Sequence, residues 1–233
     1  MNKIELKDNL IKRGIKVTDN QINELISFMN VTLETNQKFN LTAIKDESTF
    51  LEKMILDSAL SLVENDFSNL EVLDLGTGAG FPGIVMYILN PQIKLTLLDS
   101  TKKKIDYLKD FCNKNNYKIN CVNARAEDYA SEHREQFDFV ISRAVSELNI
   151  LMELSIPMIK EKGSLIALKS KDTEKEISNA KNAFKKLDCH LEKIYEDMLP
   201  ESKEYRSIVY VKKDKKTNIK YPRDFALIKD KSL

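Results

Sequence analysis

The stretch Leu70-Glu-Val-Leu-Asp-Leu-Gly-Thr-Gly-Ala-Gly-Phe-Pro-Gly83 constrains this chain more than any other. An apolar run holding Asp74 passes into a turn with Gly76, Gly78, Gly80 and Gly83, and a helix-like segment from Ile84 to Leu89 follows. These are four of only six glycines in 233 residues. Ordered glycine costs backbone entropy, so such clustering needs a local reason. A strand, a tight loop and a helix start form the place where a doubly wound α/β sheet receives a nucleotide-like ligand. Sixteen residues past Gly83, a second apolar run, Ile93 to Leu98, ends in Asp99. A carboxylate there would accept hydrogen bonds from a ribose.

Two ligands fit this arrangement, a dinucleotide and S-adenosylmethionine. Gly78-Ala-Gly80-Phe-Pro-Gly83 reads as G-x-G-x-x-G, the dinucleotide fingerprint. Pro82 argues against it, because proline at a helix start removes a backbone N–H that a pyrophosphate would use. Asp74 argues the same way. A carboxylate at the strand end is expected to face the ligand mouth, where it repels a pyrophosphate and attracts an ammonium and a sulfonium. The acidic-x-G-x-G pattern is similar to the signature of class I methyltransferases, and S-adenosylmethionine is the favoured ligand.

The remainder of the chain agrees with one α/β domain and an appendage. Ile22, Leu25, Ile26 and Met29 fall at helical spacing, and Thr18 with Gln21 has the spacing of a capping box. A second helix is expected from near Glu47 to Glu64. Strands are predicted at Glu71–Leu75, Lys94–Leu98, Lys118–Val122, Phe137–Ser142, Ser164–Lys169, Cys189–Tyr195 and Ser207–Val211. Helices are predicted at Pro82–Leu89, Lys102–Asn113, Glu147–Ile159 and Lys175–Leu187. Seven strands in this alternation imply a mostly parallel sheet with helices on both faces. The expected segments are an N-terminal helical part (1–65), a ligand-binding domain (66–212) and a basic tail (213–233).

Charge and cysteine usage narrow the function. A net charge of +1 excludes a generally basic nucleic-acid binder. From Lys212 onward, however, eight basic residues stand against three acidic ones, with Tyr221 and Phe225 interleaved. Such a tail could lie on RNA through phosphate contacts and stacking, or could be a solvated terminus. Cys112, Cys121 and Cys189 are far apart, and with only His133 and His190 besides, no metal site is expected. No run is long and apolar enough for a membrane span, and Met1 to Asp8 lacks a signal core, so a cytoplasmic protein is expected.

Several blocks carry a specific resemblance. Phe39-Asn-Leu-Thr-Ala43, Ile55-Leu-Asp-Ser58, the glycine loop continuing into Phe-Pro-Gly-Ile84, Leu97-Leu-Asp-Ser100, Ile141-Ser-Arg-Ala144, Ala167-Leu-Lys169 and Tyr221-Pro-Arg223 occur in this order. Together the chain resembles the ribosomal RNA small-subunit methyltransferase G family, also called glucose-inhibited division protein B. The resemblance implies methyl transfer from S-adenosylmethionine to nitrogen 7 of a guanine in 16S rRNA. It implies a cofactor site of Asp74, Gly76, Gly78, Gly80, Phe81, Asp99, Ser100, Ala126, Glu127 and Arg143, with core packing the alternative for Phe81. Arg143, at a strand end, is also the candidate catalytic residue. Asn40, Lys169 and Arg206 are the candidates for RNA. Met54 and Ser207 stand where the family usually has histidine, which weakens any role carried to that neighbourhood.

The implied chemistry asks little of the side chains. Nitrogen 7 has an available lone pair, so no general base is required, and alignment can supply up to roughly 7–11 kcal/mol. The chain has no Asn-Pro-Pro-Tyr-type motif and no Pro-Cys pair, which disfavours methylation of exocyclic amines and of pyrimidine carbon 5. Three other readings stay open: a methyltransferase with another acceptor, an NAD-dependent oxidoreductase, and a cofactor-gated RNA-binding module. Neither histidine has the strand-end context an oxidoreductase would need.

Overall fold

The helix expected before the glycine loop starts where its capping pattern says. In the computed structural model, which describes residues 1–233, α1 (Lys3–Lys12) is capped by Asn2 and α2 (Asp19–Asn36) by the Thr18–Gln21 box. Gln21 also donates to the carbonyls of Ile88 and Leu89, both at 2.9 Å, so this cap docks α2 on a neighbouring helix. The helix expected from Glu47 is a continuous run that changes pitch. It comprises α3 (Glu47–Phe50), a π-helical turn (Leu51–Leu56), α4 (Asp57–Ala59) and a 3-10 turn (Leu60–Leu62).

Seven strands form one sheet: β1 (Glu71–Leu75), β2 (Lys94–Asp99), β3 (Asn120–Asn123), β4 (Phe137–Arg143), β5 (Ile159–Lys169), β6 (Cys189–Met198) and β7 (Tyr205–Lys213). Their order is β3-β2-β1-β4-β5-β7-β6. The first five are parallel, and β7 runs antiparallel between β5 and β6. From β1 the chain moves outward through β2 and β3, then returns to the other side of β1 as β4. Beside β1 the strand order reverses, and a ligand crevice opens at the carboxyl ends of strands at such a point. Gly76, Asp99, Arg143 and Lys169 all stand at those ends.

The helices that follow are α5 (Gly83–Leu89), α6 (Lys102–Lys114), α7 (Ala126–Glu132), α8 (Leu148–Ser155), α9 (Thr173–Asn179), α10 (Lys181–Lys186) and α11 (Phe225–Asp230). The single helix expected over 175–187 is two, meeting at Ala180. The seven-residue α7 and six-residue α11 were not expected, because so few turns leave no readable period. β5 begins at Ile159 rather than Ser164, with a register shift opposite Phe137 and Phe139.

Alternating residues of each strand feed two cores. Val72, Leu97, Ile141, Ile166 and Ile208 face α2, α5, α6 and the helical run 47–62. Leu73, Leu75, Leu98, Val140, Leu165 and Val209 face α7, α8, α10 and α11. Leu6, Leu25, Phe28 and Phe50 are fully buried in the first of these, so the N-terminal helices cover one sheet face.

The tail does not project as an RNA-binding arm. Lys213 is fully buried, and its ammonium donates to the carbonyls of Ile159 at 2.6 Å and Ile156 at 3.1 Å. Tyr221 and Ile228 are buried in the second core, and Arg223 pairs with Glu153 at 2.6 Å. Stacking of Tyr221 on RNA is therefore corrected. This side of the sheet needs the tail's apolar residues to cover it, and its charge pattern concealed that demand.

Candidate functional site

Leu73 and Leu75 point into the second core, so Asp74 between them points to the other face, beneath the glycine loop. It is fully buried. Its Oδ2 accepts from the Thr77 hydroxyl at 2.7 Å and the Gly83 N–H at 2.8 Å, while Oδ1 has no partner. Burial pushes its pKa up to about 6, against the opposing effect of those two bonds. Asp74 does not face the ligand mouth as expected; it anchors the loop from below. Gly83 is there because a Cβ would stand 2.7 Å from Asp74 Oδ2 and 2.4 Å from Leu97 Cδ2.

One further expectation for this loop is corrected, that of Gly80, and for Phe81 the core-packing alternative holds. Gly80 is buried, and a Cβ on it would meet Ile84 and Leu108 at 2.8 Å, so its smallness serves packing. Phe81 is a core residue, its ring 5.0 Å from Phe28 and 5.6 Å from Phe50. Apart from that of Ala79, the loop's amides are occupied internally. Gly76 and Thr77 donate to Leu98 O, Gly80 and Phe81 to Thr77 O, Gly78 to Asp99 and Gly83 to Asp74. Pro82 has no N–H. The cluster of free donors that a pyrophosphate needs is absent, which weighs against a dinucleotide.

A cavity of about 350 Å³ opens at the carboxyl ends of β1 and β2. Gly76, Asp99, Ser100, Ala126 and Glu127 line it, which brings five of the predicted cofactor residues together. Leu75, Leu98, Leu154 and Phe225 make part of its wall apolar. Each Asp99 oxygen accepts one backbone bond, Oδ2 from Gly78 at 2.9 Å and Oδ1 from Thr101 at 2.8 Å. A carboxylate has about four lone-pair sites, so capacity for ribose hydroxyls remains. The size, the apolar wall and the Asp99 carboxylate fit an adenosine-bearing cofactor.

A second cavity, of about 750 Å³, lies beyond the ends of β4 and β5. Lys53, Asp57, Arg143, Lys169, Lys171 and Arg206 are in its wall. Arg143 stands here, outside the smaller cavity's lining. It donates to Lys53 O at 3.0 Å and Asp57 Oδ2 at 3.5 Å, and its guanidinium lies 5.4 Å from the Phe81 ring centre. Burial pulls its pKa down, against the attraction of Asp57. Arg206 donates to the other Asp57 oxygen and to Glu204 at 2.9 Å. Burial pushes the Asp57 carboxyl up despite both guanidiniums.

Val145 lines both cavities and forms the boundary between them. Its Cγ2 would lie 2.4 Å from a Cβ on Gly76, and Gly76 itself has φ +73°, so only glycine suits that position. Lys169 is committed within the protein, contrary to its expected place on phosphate. Its ammonium donates to Ser146 O and Glu176 Oε2, both at 2.7 Å, and its side chain is only 9% exposed. Lys171, exposed at the rim, has the freer charge. Asn40 is exposed and outside both cavities; Asn36 holds its turn through Leu41 and Thr42.

Asp57, Lys53, Val145, Glu176 and Glu204 carried no role in the sequence reading. A carboxylate amid the apolar Ile55-Leu56 and Ala59-Leu60 was the available signal for Asp57. The π-helical turn before Asp57, a feature frequent at functional sites, leaves no mark in the sequence.

Comparison with known proteins agrees with this geometry. The model of the family described as rRNA small subunit methyltransferase G matches residues 21–206. Ribosomal RNA small subunit methyltransferase G of Alkaliphilus metalliredigens is 39% identical over 227 residues, covering 95% of both chains. That of a Thermoanaerobacter species is 44% identical over 196 residues, covering 82% of this chain and 81% of its own. Among solved structures, a SAM-dependent methyltransferase from Aquifex aeolicus aligns with TM-score 0.53 at 18% identity, over 77% of this chain and 97% of its own, and shares the fold. By sequence along nearly its whole length, and with the class I methyltransferase sheet on which those motifs sit, the chain belongs to the rRNA small subunit methyltransferase G family.

Proposed function

We propose that this chain transfers a methyl group from S-adenosylmethionine to nitrogen 7 of a guanine in 16S ribosomal RNA, as a cytoplasmic enzyme. The observation that carries this reading is the meeting of two cavities at Val145, one partly apolar with the Asp99 carboxylate in its wall and one with Arg143, Arg206 and Lys171 in its wall. Asp99, Ser100, Ala126 and Glu127 hold the adenosine end of the cofactor, and Gly76 lets the backbone approach it. When bound, the cofactor supplies an electrophilic methyl group on its sulfonium. Arg143 and Arg206 receive the nucleotide, fixed in place by Asp57.

Nitrogen 7 has an available lone pair, so methylation there asks no base of the acceptor cavity. Asp57 is held by Arg143 and Arg206, Glu204 by Lys53 and Arg206, and Glu176 by Lys169. Lys53 and Arg206 hold Glu204 below the usual carboxylate range, burial raises Asp57 despite its two guanidiniums, and Glu147 stands exposed in the same wall. His133 is stacked on Tyr129 and His190 is paired with Asp214, away from the cavity. The protein's work is to orient the base and exclude water.

The test is methyl transfer from labelled S-adenosylmethionine to small-subunit RNA, or to subunits, from cells lacking this protein, with the labelled base identified. Label on guanine nitrogen 7 supports the proposal. Cofactor binding with label on no RNA form, or on another acceptor, overturns the assigned substrate and leaves the cofactor site standing.

A further inference from the structure

Phe225 lies in the C-terminal segment, outside the residues 21–206 that the family model matches, yet it forms part of the smaller cavity's wall. It stands there with Arg125, Ala126 and Glu127, although a hundred residues separate them in sequence. The Arg125 guanidinium lies 4.7 Å from the Phe225 ring centre, a cation–π contact. Arg125 Nε also donates to Glu127 Oε1 at 3.0 Å, so its plane is held between a carboxylate and an aromatic ring.

The segment is placed firmly enough to serve a site. Upstream of Phe225, Tyr221 is buried, and Arg134 donates to the carbonyl of Thr217 at 2.8 Å and that of Tyr221. The Arg223 guanidinium and its backbone N–H both bond to Glu153, which has no exposed side chain. Downstream, Ile228 is fully buried in the second core. Asp224 caps α11 by accepting from the Ala226 N–H at 2.9 Å. Phe225 stands between these anchors, only partly buried itself.

We infer that Phe225 is the aromatic wall against which the adenine packs, so that the C-terminal segment completes the cofactor site. The inference rests on the S-adenosylmethionine reading above. The chemistry that selects the ligand at this wall is a flat, uncharged, polarisable ring. Arg125 orients the phenyl group through the cation–π contact. The tail's part in activity is thereby through the cofactor.

Isothermal titration of the full chain with S-adenosylhomocysteine and with 5′-methylthioadenosine tests this. Phe225→Ala is expected to lose about tenfold in affinity for both probes, the size of one base–aromatic stacking contact. Equal loss on both is expected because they share the adenosine part. Phe225→Tyr keeps the ring and is expected to bind as the unaltered protein does. Where Phe225→Ala lowers the melting temperature, Phe225→Leu decides, since it retains apolar bulk and lacks the aromatic face. Unchanged affinity in Phe225→Leu overturns the wall while the cofactor site stands. Failure of the unaltered protein to bind either probe overturns the cofactor reading and the wall with it.

Discussion

Arg206 Nε donates to Asp57 Oδ1 at 3.0 Å, joining the penultimate strand in sheet order to the helical run 47–62 across 149 residues of chain. The Asp57 carboxylate has the Arg143 guanidinium on its other oxygen. One nearly buried carboxylate thereby sets the position of both cations in the acceptor cavity.

Asp57→Asn is expected to cost about 3–5 kcal/mol of stability, the range for breaking a buried ion pair on one side. Urea unfolding measures it. Methyl transfer should fall by roughly a hundredfold, as expected when a positioned group moves by about an ångström. Affinity for S-adenosylhomocysteine should hold, because Asp57 is remote from the smaller cavity. A variant with normal turnover would show that the two arginines need no common anchor.

Asp74 makes stability depend on pH. Between its unfolded value of 3.8 and its folded value of about 6, the native state holds a proton that the unfolded state has released. Rising pH through that window therefore removes stability, on the order of 3 kcal/mol for a shift of this size. Asp74→Asn should abolish this share of the dependence. Unfolding midpoints at pH 4.5 and pH 7.5 for both proteins measure it, and parallel profiles would refute the raised value.

Asp99→Ala should weaken S-adenosylmethionine binding by tenfold or more, as roughly expected for loss of a hydrogen bond to a charged group. It also frees the Gly78 N–H, so some of the loss comes from the loop. Asp99→Asn keeps an oxygen for Gly78 and separates the two effects. Calorimetry on both variants reads them, and unchanged affinity in Asp99→Ala would remove the ribose role.

Lys171 and Lys169 should separate in a salt titration of RNA binding. Lys171 is exposed and unpaired in the acceptor wall, so Lys171→Ala should reduce the salt slope by roughly 1. Lys169→Ala should leave the slope alone and lower the melting temperature, since Lys169 holds Ser146 and Glu176. The reverse pattern would return Lys169 to the phosphates.

The sheet, the glycine loop and Asp99 were legible because they depend on local pattern: apolar alternation, clustered glycines and a carboxylate at a strand end. The strand-end positions of Arg143 and Lys169 were legible for the same reason. What these side chains do there was decided by the tertiary structure. Asp74 turns under the loop because its neighbours Leu73 and Leu75 occupy the opposite core. Phe81 belongs to Phe28 and Phe50, and Lys169 to Glu176, partners brought in by distant parts of the chain. The tail's basic composition left an RNA contact and a solvated terminus open, while its burial depends on Glu153 and on an uncovered sheet face that no local pattern reveals. Periodicity records which way a residue points along its own element. The choice between ligand, core and ion pair is made by what the fold places opposite it.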